Sequence, residues 1–151
     1  MLKHLIYIFM ISMVPVIELR GAIPIGVGLG VPLPVVLLTA MVGNLVPVPV
    51  LILFTRQVFR WLRQKSAWLE RLVSRLERKA ASKEQLLKRY ELMGLCILVA
   101  IPLPGTGAWT GALVAAMFDI RLKYAFPVIA LGVLIAGVIV SLVTYGVAAF
   151  L

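Results

Sequence analysis

The chain has 151 residues, 62% of them hydrophobic and 14% charged, with a formal net charge of +9 and one cysteine. A soluble domain carries about 45–50% apolar and about 25% charged residues, so this is the composition of an integral membrane protein, and its length fits one domain. The lone Cys96 excludes an intrachain disulfide and reads as a buried thiol, and His4 has no Cys or His companion with which to hold a metal, so no cofactor and no enzymatic activity are expected.

A spanning helix needs about 20 apolar residues. The N-terminus lacks a basic n-region and a small-residue cleavage site, so residues 1–17 are read as retained rather than as a removable signal. Residues 2–17 form a short apolar arm that runs into Val14-Pro-Val-Ile-Glu-Leu-Arg-Gly-Ala-Ile-Pro24, and residues 21–30 supply about half a span. Irregular backbone at membrane depth is tolerated only within protein or beside a watery cavity. Residues 2–30 therefore predict a re-entrant helical hairpin.

Glu18 and Arg20 are the only charges between His4 and Arg56. Each is costly at that depth unless paired or facing a cavity. Residues two apart diverge on a helix but point the same way in an unwound stretch, which Pro15, Gly21 and Pro24 favour. Arg20 then suits an anionic substrate group, since its fork matches phosphate, with Glu18 as a titrating partner and Gly21 beside them. The alternative is a structural pair that locks the hairpin tip to the other half of the chain.

Residues 33–54 make a charge-free span. Asn44, in Gly43-Asn-Leu-Val-Pro47, sits in its middle before a helix-kinking proline. It faces a neighbouring helix, with substrate contact as the alternative role.

Eleven of the fifteen Lys and Arg fall between residues 56 and 91, beside four Glu. The positive-inside rule places residues 55–91 in the cytoplasm, against anionic headgroups rather than nucleic acid. Leu69, Val73, Leu76 and Ala80 follow a 4-3-4 spacing that Leu87 and Tyr90 continue, and Ser82-Lys-Glu-Gln85 reads as a capping box. A helical hairpin on the membrane surface, with Trp61 and Trp68 at the interface, is the first reading, and a coiled-coil dimer contact the second.

The second broken region, Ile101-Pro-Leu-Pro-Gly-Thr-Gly-Ala-Trp-Thr-Gly111, separates two half-length arms at 92–101 and 108–118. Pro102 and Pro104 end the first arm, and Thr106 is expected to N-cap the second. That would leave N–H groups and a positive dipole end as an anion site, with Gly105 and Gly107 permitting close approach and Thr110 lining it. A tight glycine packing turn is the alternative, and Trp109 reads as a packing aromatic. Residues 124–151 form the last charge-free span, in which Gly132, Gly137 and Gly146 read as packing positions.

The hairpin exit at Gly30-Val-Pro-Leu-Pro34 has no basic residue, whereas Asp119-Ile-Arg-Leu-Lys123 has two. The first hairpin is thus expected to open outward and the second toward the cytoplasm. The fold predicted is all-α, an inverted repeat of hairpin plus span, with residues 1–54 and 92–151 as the repeats and 55–91 as the insert. Aligning Pro15 with Pro102 places Glu18–Gly21 over Gly105–Ala108.

Through Glu18-Leu-Arg-Gly-Ala-Ile-Pro24 and Ile101-Pro-Leu-Pro-Gly-Thr-Gly-Ala-Trp-Thr-Gly-Ala-Leu113, the chain resembles the small multidrug export protein family over nearly its whole length. That family looks like a compact relative of the DedA (VTT-domain) superfamily, whose members have two opposed re-entrant hairpins and include translocases of polyprenyl phosphate or phospholipid. The resemblance implies a site at Glu18, Arg20, Gly105 and Thr106. The chain departs from DedA proteins in having no charge from Leu92 to Phe118, which leaves Glu18 as the only intramembrane carboxyl candidate.

The function expected is a multi-pass plasma-membrane transporter of an anionic amphiphile such as undecaprenyl phosphate, with membrane lipids as partners. Its substrate site would comprise Glu18, Arg20, Gly21, Asn44, Pro104, Gly105, Thr106, Gly107 and Thr110. The rivals are an exporter of small cationic drugs, with Glu18 as counter-ion and Arg20 structural, and a membrane organiser acting through its basic insert. Enclosing a pathway by a homodimer suits so small a chain, though the sequence leaves stoichiometry open.

Overall fold

The computed structural model describes residues 1–81 and 84–150, and among these the chain forms eight helices and no strand. Helix α1 (Leu2–Met13) stops where Val14 turns extended ahead of Pro15. Helix α2 spans Glu18–Gly28, and α3 (Leu33–Leu45) starts with proline in its first turn, where no N–H is needed. Val46 keeps helical angles, so α4 (Pro47–Lys65) extends α3 into one apolar rod, Leu33–Lys65. After α5 (Ala67–Ala81), α6 (Glu84–Ala100) ends at Pro102, α7 spans Ala108–Met117 and α8 spans Leu122–Phe150.

Two helical stretches, Leu33–Lys65 and Leu122–Phe150, are long and apolar enough to cross a membrane. The expected span and insert divide differently in space. Instead of ending near residue 54, the rod carries the first basic residues to Lys65, because nothing between 55 and 65 breaks a helix. Likewise the polar start of α6 and its apolar arm are one helix. The capping box at Ser82-Lys83 lies outside the described residues.

Packing follows one scheme in both halves. Helix α1 packs on α2 and α3, and α6 packs on α7 and α8; across the halves, α2 lies on α8 and α7 lies on α4. The buried positions also share spacing. Ile8 and Ser12 on α1 match Leu95 and Val99 on α6, and Leu19, Ala22, Ile23 and Gly26 on α2 match Ala108, Gly111, Ala112 and Ala115 on α7. Gly43 lies against the Phe9 carbonyl and Ser12, as Gly132 lies against the Cys96 carbonyl and Val99. A Cβ at either glycine would push the paired helices apart.

Both second arms end in the same turn. The N–H of Val31 donates to Gly26 at 3.2 Å, and that of Ile120 to Ala115 at 2.9 Å, each around a left-handed residue, Gly30 (φ 76°) or Asp119 (φ 54°). The tips agree as well. Pro15-Val-Ile-Glu18 has positive φ at Val16 (82°) and Glu18 (49°), and Pro104-Gly-Thr-Gly107 has it at Gly105 (82°) and Gly107 (131°). The backbone therefore matches Pro15 to Pro104, two residues beyond the Pro102 alignment expected, because it is the left-handed positions that define the turn.

Candidate functional site

Glu18 and Arg20 stand in the first turn of α2, where they diverge, and this corrects the expectation of an unwound stretch that points both one way. Each meets a helix end of the opposite sign. Glu18 is 3% exposed, and its Oε1 accepts the backbone N–H of Trp109 at 3.2 Å, in the first turn of α7. Its carboxylate packs against Gly107, which is buried. A negative group there complements the positive end of the α7 dipole. Its Oε2 is buried without a hydrogen-bond partner.

Arg20 turns to the end of α6. Its terminal nitrogens donate to the carbonyl of Ile101 at 3.0 Å, to the Thr106 hydroxyl at 2.9 Å and to the carbonyl of Leu103, leaving Nε buried without a partner. Pro102 and Pro104 end the helix there, so these two carbonyls lie past its last turn; they accept only the local N–H groups of Leu103 at 2.9 Å and Thr106 at 3.2 Å and stay open to a side-chain donor. A guanidinium supplies several donors in one plane, which a lysine does not.

Thr106 is not the N-cap of α7. Gly107 holds that position, and no side chain of its own caps the helix. The Thr106 hydroxyl lies 2.6 Å from the Ile101 carbonyl and 2.8 Å from that of Leu103, so the end of α6 captures it and Glu18 caps α7 from across the interface. Thr110 bonds back to the Gly105 carbonyl at 2.9 Å. Pro104 and Gly105 are exposed at the tip, and Gly21 is half-buried against Ile17. Asn44 is fully buried, and neither of its side-chain polar atoms has a partner.

Three features escaped the sequence. The Trp109 indole donates to the Met13 carbonyl at 3.0 Å, tying α7 to the end of α1. Arg56 donates to the Ile120 carbonyl and pairs with Asp119 at 3.5 Å, tying α4 to the end of α7. A cavity of about 430 Å³ lies between Arg20, Pro24 and Pro102 on one side and Ile139, Val140, Val143, Thr144 and Val147 of α8 on the other.

A family model described as "Putative small multi-drug export protein" matches residues 18–139. The chain belongs to this family. The match opens at Glu18, the last residue of the first tip, and takes in the second tip, the basic stretch and most of α8, so every polar contact described at the two tips, apart from the Met13 acceptor, lies within the family's extent. No curated protein and no solved structure gave a match. Family membership and the two long apolar helices make this a membrane protein of an export family.

Proposed function

We propose that the chain exports small amphipathic cations, with Glu18 as the counter-ion that meets them and Arg20 as the clamp that seats the first tip. One observation carries this reading. The terminal nitrogens of Arg20 are engaged by backbone carbonyls and Thr106, whereas Oε2 of Glu18 is buried without a partner. An arginine so engaged has little left for a substrate anion, and the N-terminus of α7 already holds the chain's own carboxylate. A buried carboxylate is a natural partner for a cation that enters the membrane interior.

The architecture we infer is an inverted repeat of re-entrant hairpins, α1–α2 and α6–α7, in the plasma membrane. Helices α1, α2 and α7 have 12, 11 and 10 residues. At about 1.5 Å per residue they are too short to cross about 30 Å of hydrocarbon. The recurring packing, the matched tips and the exchange of α2 and α7 onto the opposite long helices support this reading. The basic stretch then faces the cytoplasm, and the tips meet at depth, where parting them would expose Glu18 to either side in turn.

Purified protein in liposomes provides the test. Wild type is expected to move ethidium, Glu18→Gln to abolish that movement, and Arg20→Lys to keep substrate affinity. If Arg20→Lys loses ethidium affinity while Glu18→Gln transports normally, the proposal is wrong.

A second reading, transport of an anionic amphiphile such as undecaprenyl phosphate, is favoured by the cavity where Arg20 faces the apolar wall of α8. The wall would take an acyl or prenyl chain and Nε of Arg20 a phosphate oxygen. Lipid-flip assays with wild type and Arg20→Ala separate the two: equal flip rates leave the cationic reading alone.

A further inference from the structure

We propose that Glu18 and Asn44 form a sodium-binding site at the junction of α3 and α4, and that sodium is the coupling ion of export. Val36, Ala40 and Asn44 form one stripe on α3, at i, i+4 and i+8. Gly26 of α2 packs directly on Val36. The two helices are antiparallel neighbours joined by a short turn, so the stripe Gly26, Ala22, Glu18 runs opposite the first and puts the start of α2 level with Asn44, with the Glu18 carboxylate extending on to Gly107 of α7.

Asn44 is 0% exposed, yet neither its Oδ1 nor its Nδ2 has a partner, and Oε2 of Glu18 is in the same state. Buried polar side chains are nearly always hydrogen-bonded. Two exceptions on facing stripes at one level point to a small polar occupant shared between them. The backbone adds ligands of the same kind. Pro47 and Pro49 have no N–H, so the carbonyls of Gly43 and Leu45, on either side of Asn44, lose their helical donors.

The groups gathered there are a carboxylate, an amide oxygen and peptide carbonyls, which are hard oxygen ligands carrying one negative charge. Freed helix carbonyls beside an acidic side chain are the pattern by which transporters hold sodium at mid-membrane. Arg20, the nearest cation in sequence, is turned away to Ile101, Leu103 and Thr106. This site rests on the reading of Glu18 as the exporter's central carboxylate: sodium and an amphipathic cation would compete for it, so that inward sodium drives the other outward.

Equilibrium binding of radiolabelled sodium to the purified full-length chain, with choline chloride holding ionic strength constant, tests the site apart from transport. Saturable binding is expected, lost in Glu18→Gln and weakened about tenfold or more in the nearly isosteric Asn44→Leu. Wild-type Tm is also expected to rise with NaCl and not with choline chloride, which needs no variant. Absence of saturable binding, or of a sodium-dependent Tm rise, overturns the site. So does wild-type affinity in Asn44→Leu, the result a simple buried water would give. Sodium binding without ethidium movement in liposomes overturns the export reading instead and leaves the ion site standing.

Discussion

The Glu18 carboxylate lies so close to Gly107 that any side chain at position 107 would collide with it. Gly107 also holds φ 131° and ψ −166°, a region that is essentially glycine's alone. Gly105 differs: its φ is 82°, but nothing surrounds the place a Cβ would take. Gly105→Ala is therefore expected to cost about 1–2 kcal/mol of left-handed strain. Gly107→Ala adds the displacement of a buried hydrogen-bonded carboxylate, for roughly 3 kcal/mol or more. Thermal melts in detergent check the order, and equal losses would show that Glu18 does not rest on Gly107.

Val16 occupies in the first tip the place that Gly105 occupies in the second, at the same φ of 82°. It is 94% exposed, so it makes no packing that glycine would forfeit. Val16→Gly relieves about 1–2 kcal/mol of strain and costs about 0.5–1 kcal/mol in backbone entropy. The net is a gain of roughly 0.5–1 kcal/mol, read as a higher Tm. A lower Tm would mean that the tip does not hold this turn.

The two tips also show what the sequence made legible and what it hid. Glu18 and Arg20 stood out because charges are rare in so apolar a chain, and Pro102 and Pro104 marked the end of α6 because proline cannot continue a helix. The register between the tips was hidden. Val16 and Glu18 share no chemistry with Gly105 and Gly107, and only the backbone angles align them. The capping of α7 was hidden for another reason. Thr106 had two destinations within reach, and the carbonyls of Ile101 and Leu103 past the end of α6 drew its hydroxyl, so the cap came from a residue far away in the chain. The burial of Asn44 without a partner could be seen only once α3 had its neighbours.

Arg56 and Asp119 form an ion pair between α4 and the end of α7, at 3.5 Å with side chains 14% and 72% exposed. An exposed carboxylate gains little from such pairing, about 0–1 kcal/mol. Asp119 matters more as the left-handed residue of its turn (φ 54°), a conformation asparagine tolerates. Asp119→Asn is thus expected to be nearly neutral. Arg56→Ala also strips a charged donor from the Ile120 carbonyl and should cost about 1–3 kcal/mol. A double-mutant cycle should give a coupling below about 1 kcal/mol; a larger value would make the pair itself the tie.

The proposed inverted arrangement has a direct consequence for the two hairpin exits. Pro32 precedes α3 and Arg121 precedes α8, each just after the shared left-handed turn, so the two are equivalent places in the halves. Related by simple duplication, they would lie on one face of the membrane. Related by inversion, they would lie on opposite faces, with the basic exit inward, the orientation that the positive-inside rule favours. In a Cys96→Ala background, Pro32→Cys is expected to react with an impermeant maleimide added outside intact cells, and Arg121→Cys only after the membrane is opened. Proline before a helix start is replaceable, and Arg121 is exposed, so neither change disturbs the core. Labelling of both from the same side would exclude inversion, and with it any mechanism in which the tip bearing Glu18 and the tip bearing Gly107 approach the membrane interior from opposite faces.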